Sequence, residues 1–200
     1  MGAESADTVS VVGVTVCVYL GSSHGSDPSF TAAARGLGEA IGRRGWRLIY
    51  GGGQVGLMGE VSTATMRAGS HVTGVITRHL LEREVADTGV DELIVTTDMP
   101  ERKKAMFERA DAFVALPGGI GTLEELFEVL CWRHLGLHPK PVGLLNIAGY
   151  YDHLLAFLDH ATASGFVRDT PLIVDHDIDD LLDAFGLPAA TGTGELGRPA

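Results

Sequence analysis

At 200 residues with 45% hydrophobic content, the chain is long enough for one domain with a full apolar core and too apolar to be disordered. A formal net charge of −11 argues against a nucleic-acid surface, which needs patches of Lys and Arg. The two cysteines offer neither a disulfide framework nor metal-ligand spacing. Cys17 in a strand and Cys131 in a helix therefore read as reduced core residues.

The opening residues carry Glu4 and Asp7 and no basic residue, unlike a secretory signal, and residues 1–13 are expected to be a flexible N-terminus. Val11–Leu20 is apolar but far short of the ~20 residues that cross a bilayer. The expected compartment is the cytoplasm, with no membrane partner.

From there, short apolar runs alternate with helical patterns. The expected strands are Thr15–Leu20, Arg47–Tyr50, His71–Ile76, Glu92–Thr96, Ala112–Leu116 and Pro141–Leu145, with Leu172–Val174 a weak last one. Between them the spacing predicts helices over Phe30–Arg44, Met58–Ala68, Met99–Arg109, Thr122–Leu135 and Tyr150–Ser164, then Ile178–Phe185. This alternation predicts an α/β fold, a Rossmann-like open parallel sheet with helices on both faces. It forms a single domain over residues 14–186, followed by a flexible Gly/Thr/Ala/Pro-rich tail over 187–200. Sheets of this kind bind ligands at the carboxyl ends of their strands. Three glycine-containing turns fall there: Gly21-Ser22-Ser23, the Gly51–Gly59 loop and Pro117–Thr122.

The third turn is the most informative. Pro117-Gly118-Gly119-Ile120-Gly121-Thr122-Leu123-Glu124-Glu125 joins a buried strand to an amphipathic helix. Its glycines let backbone N–H groups approach a ligand, and a helix N-terminus favours an anion, most often phosphate. Glu125 is expected in the first helical turn, close to that anion. It has a competing use, because Thr122 and Glu125 are spaced as a capping box. Glu124 points ~100° away on the helix, as a solvated neighbour at the same site.

Gly51-x-Gly53-x-x-Gly56 fits the dinucleotide fingerprint, but no Asp or Glu lies between Val61 and Leu81 to hold the ribose. The loop is better read as backbone lining a nucleotide pocket through Gly52 and Gly53, and an NAD oxidoreductase is disfavoured. Met99, Arg102, Lys103 and Met106 share a helix face. Arg102 is expected at the site, where its planar fork suits phosphate or ring oxygens, with Lys103 supporting it and Lys104 on the surface. Met99 suits a base pocket. Ser22 and Ser23 either contact phosphate or ribose hydroxyls or cap the next segment. His134 and His138 are spaced i,i+4, but Leu135-Gly136-Leu137 ends the helix between them, and no metal site is expected.

Together these motifs resemble the Lonely Guy family of cytokinin-activating phosphoribohydrolases, relatives of which were often labelled lysine decarboxylases. The family hallmark P-G-G-x-G-T-x-x-E is matched from Pro117 to Glu125. An upstream Arg-Lys pair stands in Met99-Pro100-Glu101-Arg102-Lys103. Similarity continues through Gly51–Gly59 and Lys140–Asn146 and covers roughly Val14 to Val174. The resemblance implies catalysis by Glu125 and Arg102. It implies substrate contacts from Ser22, Gly52, Gly53, Glu84, Met99, Lys103, Gly118, Gly119, Ile120, Gly121, Thr122 and Glu124. Glu84 is the weakest transfer, since Leu81-Glu82-Arg83-Glu84 departs from the usual pattern.

The expected reaction is hydrolysis of the N-glycosidic bond of a nucleoside 5′-monophosphate to free base and ribose 5-phosphate, without a cofactor. By resemblance the substrates are cytokinin riboside 5′-monophosphates (N6-substituted AMP), with AMP a second, and the enzyme is a homodimer. The rival reading is a non-catalytic nucleotide carrier or sensor using the same glycine turn. A pyridoxal-phosphate decarboxylase finds no support in any cofactor-lysine context.

Overall fold

The computed structural model describes residues 13–83, 86–168 and 171–189. The first half of the chain forms β1 (Thr15–Tyr19), α1 (Pro28–Arg43), β2 (Arg47–Tyr50), α2 (Gly56–Arg67), β3 (Val72–Thr77), α3 (Arg78–Arg83) and β4 (Glu92–Thr96). The second half forms α4 (Met99–Arg109), β5 (Ala112–Ala115), α5 (Ile120–His134), β6 (Val142–Leu145), α6 (Asp152–Ala163), β7 (Ile173–Asp175) and α7 (Ile178–Asp183), with a 3-10 turn at Ile147–Gly149. The strands pair in parallel in the order β4-β3-β2-β1-β5-β6-β7. This is the expected Rossmann-like α/β sheet.

Both faces of the sheet are covered, which is why its central strands read as unbroken apolar runs. Val16 and Val18 on β1, with Leu20 just past its end, join a core with residues of α1, α2 and α7. Cys17 and Tyr19 point the other way, into a core with α4, α5 and Tyr151. The layer of α1 and α2 is unusually close: a side chain on Gly38 would come within 2.6 Å of the Val61 carbonyl.

Helix starts follow local chemistry. Asp27 accepts from Ser29 N at 2.8 Å ahead of Pro28. At α4, Asp98 accepts from Glu101 N at 2.8 Å while Glu101 accepts from Thr97 N, the residue before the cap, at 2.7 Å. The two bonds pin the helix start and with it the register of Arg102.

Three details differ from the sequence reading. Between the expected strands His71–Ile76 and Glu92–Thr96, where no helix is expected, the chain forms α3, because Thr77 Oγ1 accepts from Leu80 N at 3.2 Å near its start. Cys131 is exposed, not core, because α5 turns Val129 and Leu130 inward in its place. The fold also runs past Gly186: Leu187 packs against the α1 layer and the Pro188 carbonyl accepts from Trp46 Nε1 at 2.8 Å.

Candidate active site

The strand order changes direction at β1. Chain progress from β1 to β4 goes one way and from β5 to β7 the other. The loops leaving β1 and β5 feed helices on opposite faces and open a crevice between them. They are stitched at its mouth: Leu116 N donates to Tyr19 O at 2.9 Å and Gly21 N donates to Pro117 O at 3.1 Å. Gly118 is glycine because the loops meet there. A side chain would lie 2.9 Å from Gly21 N and overlap the Thr122 side chain.

Helix α5 starts at Ile120 with Gly119 as an N-cap that has no side-chain partner. It begins two residues before Thr122, so the Thr122–Glu125 capping box does not form. Thr122 is the third helical residue, and Glu125 lies in the second turn rather than the first. The N-terminal N–H groups are thus left to a ligand.

Glu125 turns instead toward Arg102. Arg102 Nη1 donates to Glu125 Oε1 at 2.8 Å, with side chains only 9% and 12% exposed. The rest of the guanidinium is held by backbone: Nε donates to Val75 O at 2.9 Å and Nη2 to Gly51 O at 3.3 Å. Three nitrogens thus meet acceptors from three different elements, which an ammonium cannot copy. Burial pushes the Glu125 carboxyl above the usual glutamate range, and the Arg102 charge only partly pulls it back.

A cavity of about 310 Å³ opens over this pair. Of the sequence-predicted residues, Ser22, Met99, Gly119, Ile120, Gly121, Thr122, Glu124, Arg102 and Glu125 line it, joined by Leu20, Met58 and Leu80. Lys103 does not. Its ammonium sits between Glu124 at 2.5 Å and Glu128 at 2.9 Å; burial lowers its pKa, and those carboxylates more than restore it. Gly52 and Gly53 lie behind the lining. Gly52, at φ +75°, accepts from Asp87 N at 3.0 Å and packs on β3, and Gly53 bridges Ala86. Gly118 lines an adjoining cavity of about 180 Å³ with Gly21, Ser23 and Tyr150. Glu84 lies outside the described residues. Among the described residues no group of three or more His, Cys, Asp or Glu converges as a metal site.

Sequence reasoning read Gly51 as part of a glycine loop and missed its carbonyl as a seat for Arg102, and it did not single out Val75. Both act through carbonyls and leave no side-chain signal. It also passed over Asp87, a buried carboxylate accepting from Tyr50 Oη at 3.0 Å and Ser62 Oγ at 2.8 Å, and the tandem Tyr150-Tyr151. Tyr150 Oη donates to Gly118 O at 2.7 Å and Tyr151 Oη to Leu116 O at 2.6 Å. Two adjacent tyrosines just past the carboxyl end of a strand were the available clue.

A family model described as "Possible lysine decarboxylase" matches residues 58–185. A probable cytokinin riboside 5′-monophosphate phosphoribohydrolase of Oryza sativa subsp. japonica is 52% identical over 76% of this chain and 63% of its own length. Two cytokinin riboside 5′-monophosphate phosphoribohydrolases of Arabidopsis thaliana are 50% and 52% identical over 76% of this chain, covering 67% and 70% of theirs. The chain thus spans about two thirds of the length of these curated relatives.

Among solved structures, the molybdenum cofactor binding protein of Rippkaea orientalis superposes with a TM-score of 0.67 at 24% identity, over 88% of this chain and 98% of that one. The Moco carrier protein of Chlamydomonas reinhardtii gives 0.65 at 23%, over 86% and 94%. At those identities the likeness is one of fold. The relatives that share half the aligned residues are the phosphoribohydrolases, and with them this chain belongs to the Lonely Guy family, whose model carries the lysine decarboxylase description.

Proposed function

We propose that this protein hydrolyses the N-glycosidic bond of cytokinin riboside 5′-monophosphates, with AMP as a second substrate, releasing free base and ribose 5-phosphate. The buried Arg102–Glu125 pair beside the open N-terminus of α5 carries the reading. In it the N–H groups of the Gly119–Thr122 turn and the positive end of the helix take the 5′-phosphate. Met99, Leu80 and Met58, on the cavity wall, take the base, and Ser22 faces a phosphate or ribose oxygen.

The bond between the anomeric carbon and the base breaks with its electron pair leaving on the base nitrogen. Positive charge builds on the sugar, as in other glycoside hydrolyses. Water supplies the oxygen that joins the anomeric carbon, and its proton balances the departing base. Glu125 serves either by facing the cationic sugar or by accepting the water's proton; both uses need it ionised. Arg102 holds that carboxylate in place and offers its remaining N–H groups to the nucleotide. Lys103 supports the site at one remove by fixing Glu124.

The catalytic unit proposed starts at residue 14 and takes in Leu187 and Pro188, acting in the cytoplasm as a homodimer. Among the described residues no helix is long and apolar enough to cross a membrane. Light scattering should return twice the 21.1 kDa chain mass.

Incubation with isopentenyladenosine monophosphate, AMP and their nucleosides, followed by chromatography, tests the reaction. Free base should come from the monophosphates and far less from the nucleosides. Tight binding without base release would favour the carrier reading.

A further inference from the structure

The glycine turn carries a hydrogen bond that the reaction does not use. Tyr150, half-exposed at the end of the 3-10 turn after β6, donates its hydroxyl to Gly118 O at 2.7 Å. We propose that Tyr150 is a positioning residue that locks the Gly118–Gly119 peptide in the orientation that binds the substrate phosphate. This rests on the nucleotide reading above.

The geometry is that of a single peptide plane. The peptide is trans, so its carbonyl and its N–H point to opposite sides. With the Gly118 carbonyl drawn to Tyr150, the Gly119 N–H faces away from the tyrosine and is left for an anion. Glycines flank this peptide on both sides and resist its rotation little. On its far side the Gly119 carbonyl accepts from Leu123 N at 3.1 Å, but the N-cap of α5 has no side-chain bond. An external partner for the Gly118 carbonyl therefore adds a restraint that α5 does not give.

The tyrosine is itself firmly placed. Its ring meets Phe30 edge-on at 5.4 Å and Tyr151 at 4.8 Å. The backbone leading to it is forced into the left-handed region at Ala148, φ +51°. Such a conformation persists only where the surroundings impose it. They do: Asn146 accepts from Tyr151 N and donates to Asp152 Oδ1, both at 2.8 Å. A wet phenol is an economical latch here, because it fixes the carbonyl from outside without entering the cavity that holds Arg102 and Glu125.

Restraint of the cradle should act on phosphate binding and not on bond cleavage. Loss of the hydroxyl lets the peptide populate orientations that do not bind, and apparent affinity falls by the fraction lost. The test is Tyr150→Phe, which keeps the ring. The KM for the nucleoside monophosphate should rise about tenfold, the equivalent of one lost hydrogen bond, with kcat within about twofold. Slow turnover of the free nucleoside should not change, so the preference for monophosphate over nucleoside collapses. Inorganic phosphate, titrated against both proteins by calorimetry, should weaken in parallel.

Tyr151→Phe is the control for general damage. It frees the Leu116 carbonyl at the strand end, and should lower Tm without moving the preference. An unchanged KM and phosphate affinity in folded Tyr150→Phe would overturn the assignment, as would an equal loss of preference in Tyr151→Phe. Absence of turnover by the wild-type protein, with phosphate binding still weakened in Tyr150→Phe, would instead overturn the reaction and leave the latch standing.

Discussion

The guanidinium of Arg102 occupies the space that a side chain on residue 51 would need. A methyl group on Gly51 would fall far inside contact distance of Arg102 Nη2 and 3.3 Å from Met58 Sδ. Gly51→Ala should therefore push the guanidinium off the Gly51 carbonyl and tilt Glu125 with it. Overpacking of this kind costs about 1–3 kcal/mol of stability. Displacement of a catalytic group by about 1 Å lowers turnover by ~10²-fold. Denaturant melts and initial rates on one preparation check both; full activity in the variant would show that Arg102 tolerates another seat.

Glu125→Gln separates charge from shape. The amide oxygen still accepts from Arg102, so stability should fall by less than the about 3–5 kcal/mol that stripping a partner from a buried ion pair costs. Turnover should fall ~10²-fold or more if the carboxylate carries the chemistry. Near-normal rates in the folded variant would remove Glu125 from the mechanism.

Arg102→Lys keeps the charge and loses the geometry. One ammonium cannot reach Val75 O, Gly51 O and Glu125 together. A buried carbonyl left without its donor costs about 1–3 kcal/mol. A lower melting point and a fall in kcat of ~10²-fold are expected; wild-type rates would mean that charge alone suffices.

Burial raises the Glu125 carboxyl against the opposing pull of Arg102, which fixes the direction of the pH dependence. The folded protein holds this proton to higher pH than the unfolded chain does. Ionisation of Glu125 therefore opposes folding, a cost that appears as pH rises past the ordinary glutamate range and levels off above the folded-state pKa. Activity that needs the carboxylate is lost as pH falls through that same raised value. Carbon NMR of the ligand-free protein, assigned with Glu125→Gln, should place the titration above that of the exposed glutamates. The acid limb of kcat/KM should follow it.

The sheet was legible because parallel strands buried on both faces are written as plain apolar runs, and the glycine turns at their ends are hard to mistake. That Glu125 and Arg102 would share one site was expected from the glycine turn ahead of Glu125 and the helix face of Arg102, with their catalytic roles implied only by the family resemblance. The structure brings the two together in one cavity. What stayed hidden works through backbone. Val75 O seats Arg102 with no residue preference to betray it, the glycine at 51 reads as part of a loop motif and not as the seat of a guanidinium, and Gly118 O meets Tyr150 across 32 residues of chain. The start of α5 was misplaced for a related reason: Thr122 is a good cap in isolation, but close approach of Gly21 and Gly118 lets the helix begin earlier.

The ion pairs of Arg102 with Glu125 and of Lys103 with Glu124 and Glu128 bear on how substrate arrives. Both cations already face carboxylates, so little positive potential escapes into solution from them. The doubly charged nucleotide of the proposed reaction would instead meet the field of a chain with a net charge of −11. On the proposed reading, recognition would be short-ranged, made by dipoles that act only on contact, and the approach uphill. Dissolved salt should ease it: between ~10 mM and ~150 mM the Debye length shrinks from ~30 to ~8 Å. Over that interval kcat/KM for the monophosphate should climb, the reverse of an enzyme that draws its anion in from a distance.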